Sequence, residues 1–265
     1  MYRSISEIID FKLDSILNLT SDEIITNMNS ISESLYFDAI KLGTETEENS
    51  FEEIFLIREN FPDIKVKVKI GGAGAKNDIK KCFQYKVDAI ILPMAESIYA
   101  IEHFISHCEY YEKIFNYKIP LVINIETIEA VNKLETFIPL LRNFNSVTIG
   151  RSDLSGSIYK DVNSDEVFVL INKIISTVHG TYPDMGISIG GVITPKISKH
   201  IYNNFNTDYL NTKFVYIKPD KDIDENIKEA LYFEILIYAL FYKSGLRNLT
   251  DFKTFYSNNI ERVNS

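Results

Sequence analysis

The chain has 265 residues, 45% of them hydrophobic, which supplies enough apolar mass for a large core and excludes a wholly disordered chain. Its formal net charge of -9 argues against a general nucleic-acid-binding protein, because such proteins need a basic face. No apolar run is long enough to span a bilayer, no signal peptide is recognisable, and the two cysteines lack metal-ligand spacing, so we expect a cytoplasmic protein with reduced thiols and no membrane partner.

Short β-branched runs alternate along the chain with amphipathic stretches of helical length. The predicted strands are residues 37–42, 65–70, 88–92, 121–125, 146–149, 186–189 and 213–217. The predicted helices are residues 50–61, 75–86, 97–115, 128–143, 164–180, 195–204 and 222–244. Units of this kind in series favour parallel strands joined by right-handed crossovers.

The fold prediction is an α/β protein with one (β/α)8 TIM-barrel domain over residues 1–265, because no linker divides the chain. Residues 1–34 form an amino-terminal helical segment in this prediction, and residues 222–265 a carboxyl-terminal one. The visible strands are one fewer than a closed barrel needs. The missing strand is expected within residues 1–20, unless a helix caps the barrel there, and an open doubly wound sheet is the alternative architecture.

Polar residues and glycines fall at or just after the carboxyl ends of the predicted strands. They are Lys41, Glu45, Glu47, Lys69, Gly71, Gly72, Glu96, Glu126, Arg151, Asp153, Gly190, Gly191 and Lys218. In a parallel barrel these ends converge on one mouth, where active sites are built.

Two carboxylates at this rim, Glu126 and Asp153, are about one βα unit apart, so they are expected on adjacent strands. Neighbouring carboxylates repel each other, and a hard cation such as Mg²⁺ resolves the repulsion. Mn²⁺ or Ca²⁺ would give the same pattern. The alternative is that Glu126 caps the following helix and Asp153 orders its own turn.

A glycine-rich turn, KIGGAGAKND over residues 69–78, lies between a predicted strand and a predicted helix. Such a turn lets the backbone approach an anion closely, and Lys69 adds a positive charge there; the alternative is a plain tight turn.

Lys41, Glu45 and Glu47 are candidates for substrate contacts, proton transfer or an ion pair, and a solvated acidic loop is the alternative. The four histidines lie in predicted helices away from the strand ends and are expected to be structural or at the surface.

Three segments in order resemble the 2-keto-3-deoxy sugar-acid aldolase (HpcH/HpaI) and citrate lyase β-subunit family. VDAIILPMAES at 87–97 resembles its strand that ends in Pro and a Glu-Ser pair, INIETIEAVNKLE at 123–135 its Ile-Glu-Thr segment, and VTIGRSDLSGSI at 147–158 its Gly-x-x-Asp-Leu-Ser segment. The similarity runs from about residue 37 to residue 195, and it identifies the chain as a divergent member.

The resemblance implies a metal-dependent carbon–carbon lyase or aldolase that acts through the enolate of a pyruvate-like 2-oxo acid. Glu126 and Asp153 would bind Mg²⁺ or Mn²⁺. The expected catalytic residues are Lys69, Glu45 and Glu47, and the expected substrate contacts are Lys41, Gly71, Gly72, Arg151, Ser152, Gly190 and Gly191. The family's third-strand Arg corresponds to Lys69 here, which loses the bidentate fork, and its catalytic His has no counterpart in residues 37–48.

Other functions stay open at this point. They are a citrate-lyase-like enzyme that uses an acyl-CoA thioester, a non-catalytic relative that binds a metabolite or partner, and an unrelated barrel with similar strand-end chemistry. The stretch 225–245 is apolar on more than one face, which favours burial against the barrel or a second subunit. Together with the family's exchanged carboxyl-terminal helix, it predicts a homo-oligomer.

Overall fold

The computed structural model describes residues 10–32 and 37–265, with the side chains of residues 31 and 32 left out. Eight strands are formed: β1 (Phe37–Gly43), β2 (Lys65–Lys69), β3 (Ala89–Leu92), β4 (Leu121–Ile125), β5 (Ser146–Gly150), β6 (Gly186–Gly190), β7 (Tyr209–Asn211) and β8 (Val215–Ile217). The helices are α1 (Leu13–Asn18), α2 (Ser21–Ser32), α3 (Phe51–Asn60), α4 (Lys76–Gln84), α5 (Ile98–Phe115), α6 (Ile128–Phe137) with a 3₁₀ turn (Ile138–Asn143), α7 (Arg151–Ser157), α8 (Asp165–Thr181), α9 (Pro195–Asn204), α10 (Ile223–Lys243) and α11 (Leu249–Val263).

The strands close into a barrel in sequence order, which confirms the barrel prediction and excludes the open sheet. From β1 to β7, each strand pairs in parallel with the next one along the chain. Side-chain hydroxyls cap the amino termini of several of the intervening helices; Ser50 accepts from the backbone N–H of Glu53, and Thr127 from that of Ala130.

The strand that the sequence pattern does not show is β7, the last but one along the chain. Within residues 10–20 the structure has helix α1 instead of a strand, and residues 1–9 lie outside the described residues. Strand β8 pairs antiparallel with both β7 and β1, so the prediction of parallel pairing was wrong for this strand. The reason is covalent, since the three residues between β7 and β8 are too few for a parallel crossover.

This reversal changes which end of β8 faces the mouth. Lys218, which follows the strand, lies at the opposite end of the barrel from the predicted site. Lys213, which precedes the strand, lies at the mouth and lines its cavity.

The apolar side chains form two clusters. The larger fills the layer between the strands and the surrounding helices. The smaller lies inside the barrel and consists of Ala39, Ala89, Ile91, Val122 and Tyr216. Beside this cluster, the buried hydroxyls of Thr148 and Ser188 are hydrogen-bonded to each other at 2.8 Å, so the interior is partly apolar and partly polar.

Helix α10 is buried almost along its whole length by its own chain. It packs against α9, α11, α2 and β8, and its buried residues include Phe233, Leu236 and Phe241. The apolar stretch that suggested a subunit contact is thus covered within one chain, and the homo-oligomer stays a prediction. Across the described residues, no helix combines the length and apolar character that a membrane span requires.

Candidate active site at the carboxyl ends of the strands

A cavity of about 400 Å³ opens at the mouth of the barrel. Its walls include the predicted residues Lys41, Glu47, Lys69, Glu126, Ser152, Asp153, Gly190 and Gly191. The structure therefore brings most of the predicted residues together, and the volume suits a small organic acid.

Glu126 follows β4 and is buried, with 4% of its surface exposed. One carboxylate oxygen accepts from the backbone N–H of Met94 at 2.8 Å, and the other from Asn124 Nδ2 at 3.0 Å. Burial raises the pKa of Glu126, and the charge of Asp153 raises it further. The two carboxylates therefore repel each other, and a cation bound by both would relieve this repulsion.

Gly150 makes room for Glu126. A Cβ atom at this position would lie 2.5 Å from Glu126 Oε2 and 2.7 Å from Glu126 Cβ. Gly191, whose φ is +91°, similarly packs against the backbone N–H of Ser152, 2.5 Å from where its Cβ would be. Because they have no Cβ atom, these glycines at the ends of β5 and β6 allow the residues around Glu126 and Asp153 to pack closely.

Glu47 holds two lysines together on the other side of the cavity. It lies 2.9 Å from Lys41 Nζ and 3.0 Å from Lys69 Nζ, while Glu45 is 3.9 Å from Lys69 and more exposed. Burial alone would raise the pKa of Glu47, but the charges of Lys41 and Lys69 outweigh it and lower the pKa to about 2. A carboxylate so firmly ionised is a weak base, so Glu47 is suited to positioning the lysines.

The loop that carries Glu47 is tied down at both sides. Asn49 Oδ1 accepts from the backbone N–H of Gly43 at 3.0 Å. Arg247, which follows α10, donates to the carbonyl of Glu48 at 2.6 Å and pairs with the buried Glu53 at 2.5 Å. The carboxyl-terminal part of the chain therefore fixes the first βα loop.

Gly71 and Gly72 of the glycine-rich turn were expected to contact the substrate, but they do not line the cavity. The anion bound at this turn is the side chain of Asp78. Its Oδ2 accepts from the backbone N–H of Gly71 at 3.1 Å and from Thr44 Oγ1 at 2.6 Å. Gly72 has φ +112°, so this glycine serves the geometry of the turn.

Arg151 also lies away from the cavity. Its guanidinium is fully buried and donates to the carbonyl of Val162 at 3.1 Å and to Asn163 Oδ1. Burial lowers its pKa to about 10. This contact holds the loop after α7, and a substrate contact of Arg151 stays a prediction.

The histidines lie away from the cavity as well. The His103 ring packs against those of Tyr99 and His107 on α5. No group of three His, Cys, Asp or Glu side chains that could hold a metal ion is found among residues 10–32 and 37–265. An ion at Glu126 and Asp153 would therefore take its other ligands from elsewhere.

Several residues that line the cavity are not among the predicted site residues. They are Asn124, Thr148, Asn211, Lys213, Tyr216 and Arg262. Asn124 could have been found, since it is two residues before Glu126 on a strand and so shares its face. Arg262 could not, because its place depends on the path of α11.

Lys213 lies between β7 and β8. Lys41 and Lys69, the other lysines of the cavity, are both paired with Glu47. Burial lowers the pKa of Lys213; Glu234 and Glu47 oppose the shift, and Lys41 and Arg247 add to it. Within the described part of the chain it has no carboxylate close enough for an ion pair.

The family profile of HpcH/HpaI aldolase/citrate lyase matches residues 65–200, just over half of the chain. No curated protein sequence matches the chain. The matched span runs from β2 into α9 and includes both Glu126 and Asp153.

Solved structures show the same fold at low identity. A citrate lyase from Burkholderia xenovorans LB400 is 12% identical with a TM-score of 0.60, over 91% of this chain and 88% of that one. Citrate synthase SbnG is 17% identical with a TM-score of 0.57, over 81% and 88%. An HpcH/HpaI aldolase from Desulfitobacterium hafniense DCB-2 is 13% identical with a TM-score of 0.57, over 74% and 83%. The chain belongs to the HpcH/HpaI aldolase/citrate lyase family, as a divergent member.

Proposed function

We propose that the protein is a divalent-metal-dependent carbon–carbon lyase or aldolase that acts through the enolate of a pyruvate-like 2-oxo acid. The observation that carries this proposal is the acidic pair, Glu126 and Asp153, in the wall of a small cavity at the barrel mouth. Membership of an aldolase and lyase family supports the reaction class.

The residues fit Mg²⁺ or Mn²⁺. Glu126 and Asp153 would hold the ion, and beside them the buried Asn124 Oδ1 has no hydrogen-bond partner within the described residues. A site with two carboxylates suits Mg²⁺, which keeps several water ligands and accepts substrate oxygens. When bound, the ion would supply Lewis-acid stabilisation of negative charge on the 2-oxo oxygen.

The lysines would bind and orient the substrate. Lys69 is held at the cavity wall by Glu47, and its charge also lowers the pKa of Glu126. Its ammonium would take the substrate carboxylate as a point charge, without the fork of an arginine. Glu45, the more exposed of the two loop carboxylates, does not line the cavity, but it lies 3.9 Å from Lys69 Nζ, and we propose it as the group that moves the proton.

Exchange of the methyl protons of pyruvate tests the proposal. In heavy water with Mg²⁺ or Mn²⁺, NMR should show enzyme-dependent loss of the methyl signal, and a chelator should stop it. If no 2-oxo acid exchanges, a metabolite-binding role replaces the proposal. If turnover appears only with a CoA thioester, the citrate-lyase-like reaction replaces it.

Gly150→Ala gives a test that depends on the position of Glu126. The new Cβ would overlap Glu126, so we expect Mn²⁺ affinity to fall about tenfold, as when a metal ligand loses its support. Calorimetric titration with Mn²⁺ measures the change. Gly156→Ala is the matched control, since a Cβ at this helical position would meet no atom within 4 Å beyond its own helix backbone and chain neighbours; equal affinities in the two variants would contradict the assignment.

A further inference from the structure

Two histidines lie side by side on helix α5, outside the cavity at the barrel mouth. His103 and His107 are four residues apart, and their ring centres are 4.2 Å apart. Residues at this spacing lie on the same face of a helix, one turn from each other. The two imidazole rings are therefore already close enough to bind one small ligand together.

Helix α5 fixes the backbone beneath both rings. The helix is 18 residues long, and Ser97 caps its amino terminus by accepting from the backbone N–H of Ala100. Its inner face is buried through Ile101, Phe104 and Cys108. A ligand of the two histidines would therefore have to order only their side chains, which keeps the entropy cost of binding low.

The histidines are accessible from solvent. Both are half-buried, and Tyr99, one turn before His103, is 75% exposed. The Tyr99 ring stacks on the His103 ring, with 5.7 Å between ring centres and 15° between planes. The three rings form a row along the helix, so an ion from solution can reach the imidazole nitrogens.

The surroundings of the pair favour neutral imidazole, the form that binds metal ions. Burial lowers the pKa of His107, and the charges of His103 and Lys76 lower it further. The Lys76 ammonium lies 5.0 Å from the ring centre of Tyr110, and its charge would also oppose a bound cation. The net charge of -9 on the chain acts in the opposite sense and attracts cations.

The pair differs in chemistry from Glu126 and Asp153. Imidazole nitrogens suit zinc, copper and nickel, whereas Mg²⁺ prefers oxygen ligands. No third His, Cys, Asp or Glu completes a ligand set anywhere in the described ranges 10–32 and 37–265. The remaining positions of an ion held here would face solvent and take water.

We propose that His103 and His107 form a second metal site, which binds Zn²⁺ or a similar late first-row divalent ion through one nitrogen of each ring. The same spacing supplies two of the zinc ligands in helical H-E-x-x-H motifs. Zn–N distances of about 2.0–2.1 Å are reached by rotating the two side chains, without moving the helix. This site is separate from the proposed reaction and stands or falls without it.

Calorimetric titration with Zn²⁺ in the presence of saturating Mg²⁺ tests the proposal. His103→Asn and His107→Asn should each weaken Zn²⁺ binding by about tenfold or more, since each removes one of two ligands. His200→Asn is the matched control, because this exposed histidine lies on α9. Glu126→Gln should retain the site. Zn²⁺ binding that is lost in Glu126→Gln, or that is unchanged in a His103→Asn protein that melts like the wild type, would overturn the proposal.

The pH dependence of Zn²⁺ binding separates this site from one made of carboxylates. Protons compete with the ion for the imidazole nitrogens, so the affinity of the Glu126→Gln protein for Zn²⁺ should fall at least about tenfold between about pH 7.5 and 5.5. A carboxylate site would change little over this range, because carboxylates stay ionised there. Equal affinities at the two pH values would therefore also overturn the proposal.

Discussion

Glu126→Gln should lower the rate of metal-dependent pyruvate proton exchange by about 100-fold or more. The substitution keeps the size of the side chain but removes the charge that would hold the ion beside Asp153. It also places an amide where Asn124 Nδ2 now donates to a carboxylate oxygen at 3.0 Å. NMR exchange rates at saturating Mn²⁺ and at several lower concentrations measure the effect.

Glu129→Gln is the matched control for this experiment. Glu129 lies in the first turn of α6, close in sequence to Glu126, and pairs with Lys133 at the surface. Its substitution should leave the exchange rate within about twofold. Equal rates for Glu126→Gln and Glu129→Gln would refute the role of Glu126.

Glu47→Gln should have the largest effect on stability, with a loss of about 3–5 kcal/mol in the free energy of unfolding. The substitution leaves the ammonium groups of Lys41 and Lys69 close together without the carboxylate that now joins them. Urea denaturation at neutral pH measures the loss. Glu48→Gln is the matched control, because this neighbouring side chain is exposed and should change stability by less than about 0.5 kcal/mol.

The pH dependence gives the same experiment a second readout. The pKa of Glu47 is about 2 in the folded protein, against an ordinary value of 4.5. A group with a lowered pKa stabilises the fold fully above its unfolded value and loses this contribution as pH falls towards its folded value. The difference in stability between wild type and Glu47→Gln should therefore shrink between pH 4.5 and about 2. A difference that stays constant over this range would contradict the assigned ion pairs.

The position of Glu126 and Asp153 at the mouth of the barrel can be predicted from the sequence because it depends on local pattern. Strands β4 and β5 are apolar runs that end in polar residues, and parallel pairing of consecutive strands brings those ends together. This local pattern is enough to put Glu126 and Asp153 at one rim. It does not reveal the glycine that makes room for Glu126, because Gly150 matters only through a close approach between neighbouring strands.

The last two strands, β7 and β8, cannot be predicted from local pattern in the same way. Strand β7 is only three residues long and shows no clear alternation, so the sequence pattern does not reveal it. Without β7, the pattern assigns β8 the wrong direction and puts Lys218 at the mouth instead of Lys213. A single short hairpin therefore decides which lysine lies in the cavity.

The cavity residues that come from distant elements are also beyond local pattern. Arg262 reaches the cavity because α11 packs along α10, and Arg151 is turned away by its contacts with Val162 and Asn163. Both outcomes depend on how helices pack, which periodicity alone does not specify. Gly71 and Gly72 are expected at a substrate anion, but the carboxylate of Asp78 already occupies that turn.

Crystals soaked with Mn²⁺ and pyruvate test the central claim most directly. Anomalous scattering should place one Mn²⁺ ion in contact with the carboxylates of both Glu126 and Asp153, with pyruvate oxygens completing its ligands. Fully occupied pyruvate in the cavity with no ion at these two carboxylates, or an ion bound only elsewhere, would contradict the account.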